Sequence, residues 1–270
     1  MIIFGVLDRT FLTNLIIPHP KYMTSTMTKR ILIINPNSSE SMTQGMSTLI
    51  TTPPSGFELE FFTAPPTAPP SINNSEEGHL SCQECLKELK SKPSKYLEYD
   101  GYLVGCYSDH PLVYELRKLV GTRAQVLGIF QASVLYSLNS ASDENKVAIL
   151  TSGKDWEPIL DEAVYRFFNG KGAVERQNYS EFLPPFFIPT LAAGVDVLKL
   201  ADPDNYNILK SKVNQLIHQN ANTILLGCAG LATLDGKLSS DFPNVTFVDS
   251  VKAGIELLVA YIRFQGYSKQ

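Results

Sequence analysis

No run of apolar residues approaches the roughly 20 needed to cross a bilayer, so a membrane-spanning protein is not expected. Cysteine is scarce, with four in 270 residues, and that does not suggest a disulfide scaffold. His19, His79 and His218 are scattered without metal-ligand spacing, and no second C-x-x-C accompanies Cys82-Gln83-Glu84-Cys85, so no metal is expected. Charge is sparse too. Asp, Glu, Lys and Arg make up 19% and the net charge is −4, which implies no basic face and makes nucleic acid a poor candidate partner. Neither common glycine-rich phosphate loop is present. Residues 1–26 lack the charged start and clean apolar block of a secretory signal, so a cytoplasmic location is expected. That segment reads as part of an extension, 1–28, that is disordered or follows a start codon assigned too early; a weak organelle-targeting segment is the alternative.

What remains is a chain that is 44% hydrophobic, enough for one large domain or two small ones. Residues 31–34 form a short continuous apolar run followed by Asn35-Pro36-Asn37-Ser38-Ser39, a cluster of turn and cap residues. This reads as a buried strand, a loop, and a helix from Glu40. Further strands are expected at 57–62, 102–104, 125–129, 146–150, 223–226 and 245–248. Helices are expected at 76–89, 113–119, 156–168, 206–219 and 251–264.

The pattern repeats. Arg30-Ile31-Leu32-Ile33-Ile34-Asn35 resembles Lys146-Val147-Ala148-Ile149-Leu150-Thr151. Tyr102-Leu103-Val104-Gly105-Cys106 resembles Ile224-Leu225-Leu226-Gly227-Cys228. Nearly equal offsets point to a duplicated half. The expected fold is α/β, with two pseudo-symmetric lobes, each a parallel sheet flanked by helices. Ligands of such sheets sit beyond the carboxyl ends of the strands. Asn35, Cys106, Thr151 and Cys228 all fall at such ends, so an active site is expected in the cleft between the lobes.

Two facing cysteines suit one kind of chemistry. A proton removed from a carbon beside a carbonyl must be returned to the opposite face by a second group. A thiol of pKa roughly 8.5 can serve as base when ionised and as acid when not. A helix beginning just after each strand would favour the thiolate and offer N–H groups to an enolate oxygen. A lone strand-end cysteine is ordinarily packing, but matching Gly-Cys contexts in two half-repeats favour Cys106 and Cys228 as a catalytic pair.

Other residues admit plainer readings. Asp109 and His110 follow Cys106 and could suggest a Cys-His hydrolase, but His110-Pro111 reads better as a turn. Cys82 and Cys85 lie in an expected helix with acidic neighbours and read as structural.

Three segments carry a resemblance to a known family: Ile33-Ile34-Asn35-Pro36-Asn37-Ser38-Ser39 with Met42-Thr43, Gly105-Cys106-Tyr107-Ser108-Asp109, and Leu226-Gly227-Cys228-Ala229-Gly230-Leu231. Over about 29–261 the chain resembles the hydantoin racemase branch of the aspartate/glutamate racemase superfamily. The resemblance implies two α/β lobes, no cofactor, a small-molecule substrate, and a cysteine pair that racemises 5-substituted hydantoins or allantoin. It gives Cys106 and Cys228 the two catalytic roles. Asn35, Tyr107, Thr151, Ser152 and Ala229 would contact the substrate or line the cleft. The lobes are expected at 29–127 with 247–270, and at 128–246; assembly into a homo-oligomer is suggested by relatives. Many members have Asp-Pro-Gly soon after the first cysteine, where this chain has Ser108-Asp109-His110-Pro111-Leu112. That departure touches the substrate more than the chemistry. A related decarboxylase-type lyase, a cis-trans isomerase, and a non-catalytic ligand-binding protein are the alternative readings.

Overall fold

A computed structural model describes residues 28–195 and 203–267. The extension expected over 1–28 lies, but for Thr28, outside the described residues. The chain builds two four-stranded sheets in succession. The first holds β1 (Lys29–Asn35), β2 (Phe57–Thr63), β3 (Gly101–Val104) and β4 (Gln125–Gly128). Between them run α1 (Glu40–Thr48), α2 (Ser75–Ser91), the single turn α3 (Pro93–Tyr96) and α4 (Pro111–Val120), with α5 (Ile129–Ser137) following β4. The second holds β5 (Lys146–Thr151), β6 (Leu191–Ala192), β7 (Ala221–Leu226) and β8 (Thr246–Asp249). Its helices are α6 (Trp156–Asn169), α7 (Tyr206–His218) and α8 (Asp235–Asp241), and α9 (Ser250–Tyr267) closes the described chain.

The strand orders are β2-β1-β3-β4 and β6-β5-β7-β8, and every pairing is parallel. The two expected half-repeats therefore occupy the same places in the two sheets, β1 with β5 and β3 with β7. Both sheets are buried on both faces, which is why their central strands read as continuous apolar runs.

Alternation along each strand sorts side chains between layers. Ile31 and Ile33 of β1 join Val147 and Ile149 of β5 in one central cluster, together with α5, α6 and α9. Leu32 and Ile34 face the other way, onto α2 and α4. Ala148 and Leu150 likewise face α7. The two lobes thus share their largest core, while each keeps a private one on its outer face.

Two expectations need correction. The strand expected over 125–129 stops at Gly128, and Ile129 opens α5, a helix the sequence reading did not contain. Its residues from Ile129 to Val134 are all buried, so no polar face marks it as a helix. A boundary at 246/247 would cut β8, which pairs with β7 from Thr223↔Thr246 to Leu226↔Asp249 and belongs whole to the second sheet. α9, by contrast, packs on α5, β3 and β4. The short edge strand β6, only two residues long, carried no pattern to read.

Candidate active site

In each sheet the connection leaving the first strand runs to one side and the strand order then reverses. The crevice outside such a reversal is where open parallel sheets take ligands. In the first sheet it lies between the ends of β1 and β3, at Asn35 and Cys106; in the second, between β5 and β7, at Thr151 and Cys228. Both reversals open into one cleft of about 590 Å³, counting its mouth. Asn35, Cys106, Tyr107, Thr151, Ser152 and Cys228 all line it. Ala229 opens the 3-10 turn Ala229–Leu234 beside them; its side chain is outside the described set.

Each cysteine has a hydrogen-bond partner that can stabilise a thiolate. The Ser108 hydroxyl lies 3.4 Å from Cys106 Sγ. The Gly230 N–H donates to Cys228 Sγ at 3.4 Å. The expected helix start is therefore found at Cys228, which caps the 3-10 turn, but not at Cys106, where α4 waits until Pro111. Burial dominates both thiols. It pushes Cys106 up to about 11, against the lowering effect of Ser108. It pushes Cys228 up to about 12, with the Gly230 N–H opposing and a charge on Cys106 raising it further. The two sulfurs are thus near enough to sense each other's ionisation.

The other lining residues divide between structural work and free groups. Asn35 Nδ2 reaches Asn37 Oδ1, the Ser39 carbonyl and Thr43 Oγ1 at 2.9–3.0 Å. Its Oδ1 accepts from the Asn37 N–H at 3.2 Å. The Asn35 amide is spent on shaping the loop that Ser39 then caps onto α1. Thr151 donates to the Gly227 carbonyl at 3.0 Å, tying the end of β5 to the residue ahead of Cys228. The Tyr107 hydroxyl pairs with Ser133 at 2.9 Å, and its ring meets Phe130 edge-on. Among the described residues the Ser152 hydroxyl and the backbone N–H groups of Cys106, Tyr107 and Cys228 have no protein partner.

The sequence reading missed Asn37, Met42, Met46, Ser71, Ile72, Asn73, Trp156 and Gly230 as lining residues. Trp156 carried one signal, being the chain's single tryptophan, three residues after the Thr151-Ser152-Gly153 loop. The loop residues Ser71, Ile72 and Asn73 carried none.

His110 is not paired with Cys106. Its Nδ1 accepts from the Leu112 N–H at 3.2 Å, capping α4 ahead of Pro111. Nε2 therefore carries the proton and faces Ser81 Oγ at 3.4 Å, and Ser81 donates in turn to the Pro36 carbonyl. Burial, with His79 a smaller contributor, lowers His110 to about 3, so the ring is neutral. Cys82 and Cys85 are buried in α2, and burial raises them to about 11 and about 12. Among the described residues no cluster of three His, Cys, Asp or Glu side chains could hold a metal ion, and no helix is long and apolar enough to cross a membrane.

One electrostatic feature stands out. Among the described residues lining the cleft there is no carboxylate, lysine, arginine or histidine; its titratable side chains are Cys106, Cys228 and Tyr107.

Comparison with known proteins places these features in context. The family model described as Asp/Glu/Hydantoin racemase matches residues 31–258. Protein DCG1 of Saccharomyces cerevisiae is 30% identical over 258 residues, covering 90% of this chain and 100% of that protein. A hydantoin racemase of Pseudomonas sp. (strain NS671) is 24% identical over 84% of this chain and 83% of its own length. An allantoin racemase structure from Klebsiella pneumoniae superposes with a TM-score of 0.72 at 20% identity, over 88% of this chain and 89% of that one.

Proposed function

Because the chain belongs to the Asp/Glu/hydantoin racemase family, we propose that it racemises a hydantoin-like ring, a 5-substituted hydantoin or allantoin, with Cys106 and Cys228 as its paired base and acid and without a cofactor. The observation that carries this reading is the cleft lining. Of its titratable groups Tyr107 is hydrogen-bonded to Ser133, so proton transfer there falls to the two thiols.

Burial raises both thiols, and a charge on one disfavours ionisation of the other, so the pair gives up one proton well before the second. The ionised pair is one base and one acid, and the titration belongs to the pair. One sulfur takes the proton from C5 of the ring, and the other gives a proton to the opposite face. The intermediate between them is planar, with its charge on the oxygen of the neighbouring carbonyl. The free N–H groups of Cys106, Tyr107 and Cys228 are donors suited to that oxygen. For the reverse enantiomer the sulfurs exchange roles.

The absence of a cation in the described lining favours a neutral ring over a free amino acid, whose carboxylate would find no ion-pair partner there. The test is chiral analysis of allantoin, 5-alkyl and 5-aryl hydantoins and aspartate in deuterated water. The expected result is loss of optical activity in a hydantoin with deuterium incorporated at C5. If none of the panel exchanges, the racemase reading falls.

A further inference from the structure

We propose that the cavity beside the cysteine cleft is the subsite for the group carried on the reacting carbon, and that it selects a neutral amide-type substituent, ureido or carbamoyl. This rests on the racemase reading above and specifies the substrate within it.

The cavity measures about 610 Å³, counting its open mouth, and shares Ile72 and Trp156 with the cysteine cleft. Ser108, the hydrogen-bond partner of Cys106, lines it as well. A group attached to a carbon held between the sulfurs has this space directly past Trp156. One wall comes from the first turns of α2 and the loop carrying Asp109; the other comes from α6. Trp156, Ile159, Glu162 and Arg166 recur at helical spacing and so share one face of α6.

The free polar atoms define what fits. Arg166 is largely engaged, with Nε on Glu162 at 2.7 Å, Nη1 on the Lys171 carbonyl at 2.8 Å, and Nη2 on Glu175 at 2.6 Å and on the Tyr179 hydroxyl at 3.2 Å. One Nη1 hydrogen is left over, on a guanidinium whose charge is already paired with Glu162 and Glu175. Glu162 binds it through Oε1 and keeps Oε2 as an acceptor. Asp109 Oδ1 is taken by Tyr114 and Gln131, and Oδ2 lies 3.5 Å from Lys171. His79 Nδ1 is 2.7 Å from the Ser75 carbonyl and must donate to it, which leaves Nε2 an acceptor when the ring is neutral. On the α2 wall Asn74 Nδ2 and the Ser75 hydroxyl have no protein partner among the described residues and can donate.

Two carboxylates, beside an arginine already paired with Glu162 and Glu175, disfavour an anionic substituent. An alkyl group would bury these donors and acceptors without partners. A planar group with N–H donors on one side and a carbonyl on the other satisfies both walls, while Trp156 and Ile72 cover its faces.

The test compares racemisation of allantoin, 5-methylhydantoin and 5-carboxymethylhydantoin, with deuterium exchange into unsubstituted hydantoin as a fourth measurement. For the unaltered protein, kcat/KM for allantoin should exceed that for both other substituted rings by at least about tenfold. Glu162→Gln and Ser75→Ala should each lower the allantoin-to-methyl ratio by at least about threefold, a selectivity change that a general loss of folded protein would not produce. Equal slowing of both substrates in both variants overturns the subsite, as does a wild-type preference for the methyl or carboxymethyl ring. Exchange into unsubstituted hydantoin without a preference for allantoin removes the subsite alone. Absence of exchange in all four removes the racemase reading and the subsite with it.

Discussion

Gly105 and Gly227 make the same hydrogen bond in two different sheets. Gly105 donates its N–H to the Ile34 carbonyl at 2.7 Å, and Gly227 donates to the Leu150 carbonyl at 2.8 Å. Each acceptor lies one residue short of the end of the adjacent strand, and each glycine directly precedes a cleft cysteine. The bond carries the sheet ladder one residue further and so fixes where the sulfur emerges.

Neither glycine has room for a side chain, but the obstacles differ. A Cβ on Gly227 would stand 2.6 Å from Ile149 Cγ2 and 2.9 Å from the Leu150 carbonyl oxygen. A Cβ on Gly105 would meet chiefly the Met46 sulfur, at 2.7 Å, the end of a flexible side chain. Gly227→Ala should therefore destabilise by about 1–3 kcal/mol, and Gly105→Ala by less. Urea unfolding of the two variants side by side checks the ranking.

Replacing either cleft sulfur should have the same consequence. Cys106→Ser and Cys228→Ser are each expected to slow racemisation by about a thousandfold or more, because a hydroxyl is far harder to ionise than a thiol. Polarimetry on both enantiomers measures this. A variant that retains wild-type turnover would assign the chemistry to one sulfur and point to a lyase or isomerase of another kind.

Both thiols are raised by burial, so the base form accumulates only as pH climbs. The expectation is that kcat/KM rises from pH 7 to pH 10, by up to about tenfold per unit on the ascending limb. The Ser108 hydroxyl opposes the rise at Cys106. Ser108→Ala should accordingly move the limb to higher pH. A profile that is flat, or that peaks in the carboxylate range, would contradict a thiol base.

His110 gives a separate prediction about stability. Its folded pKa, about 3, lies below the ordinary histidine value of 6.5, so between these values the unfolded chain binds more protons than the folded one. Its contribution is complete above pH 6.5 and is lost as pH falls toward 3. At pH 5 the loss is about 2 kcal/mol. His110→Asn keeps a side chain able to cap α4 and should flatten the decline in Tm between pH 6.5 and 4. Thermal melts across that range provide the comparison.

The sequence showed the sheets because their central strands are buried on both faces and read as unbroken apolar runs. It showed Cys106 and Cys228 as cleft residues because the same Gly-Cys pair follows equivalent strands of the two sheets. The same signal failed at α5, where burial on all sides removes the polar face that marks a helix. Trp156, Ile72 and Asn73 reach the cleft from a helix start and a loop, brought there by tertiary packing that no local spacing encodes. Asn35 was legible as a strand end beside the cleft, but not as a residue whose amide is consumed by its own loop.

The placement of α9 bears on how the molecule is made. Gly254 of α9 sits against Leu103 of β3 so tightly that an added Cβ would come within 2.7 Å of the leucine side chain, yet the two residues are 151 apart in the chain. The part of the first sheet's inner face that α9 covers therefore stays open while the whole second sheet is synthesised. Such distant closure slows folding and leaves apolar strands exposed to wrong partners in the interval. A chain interrupted before Ser250 would present that uncovered sheet face to its neighbours.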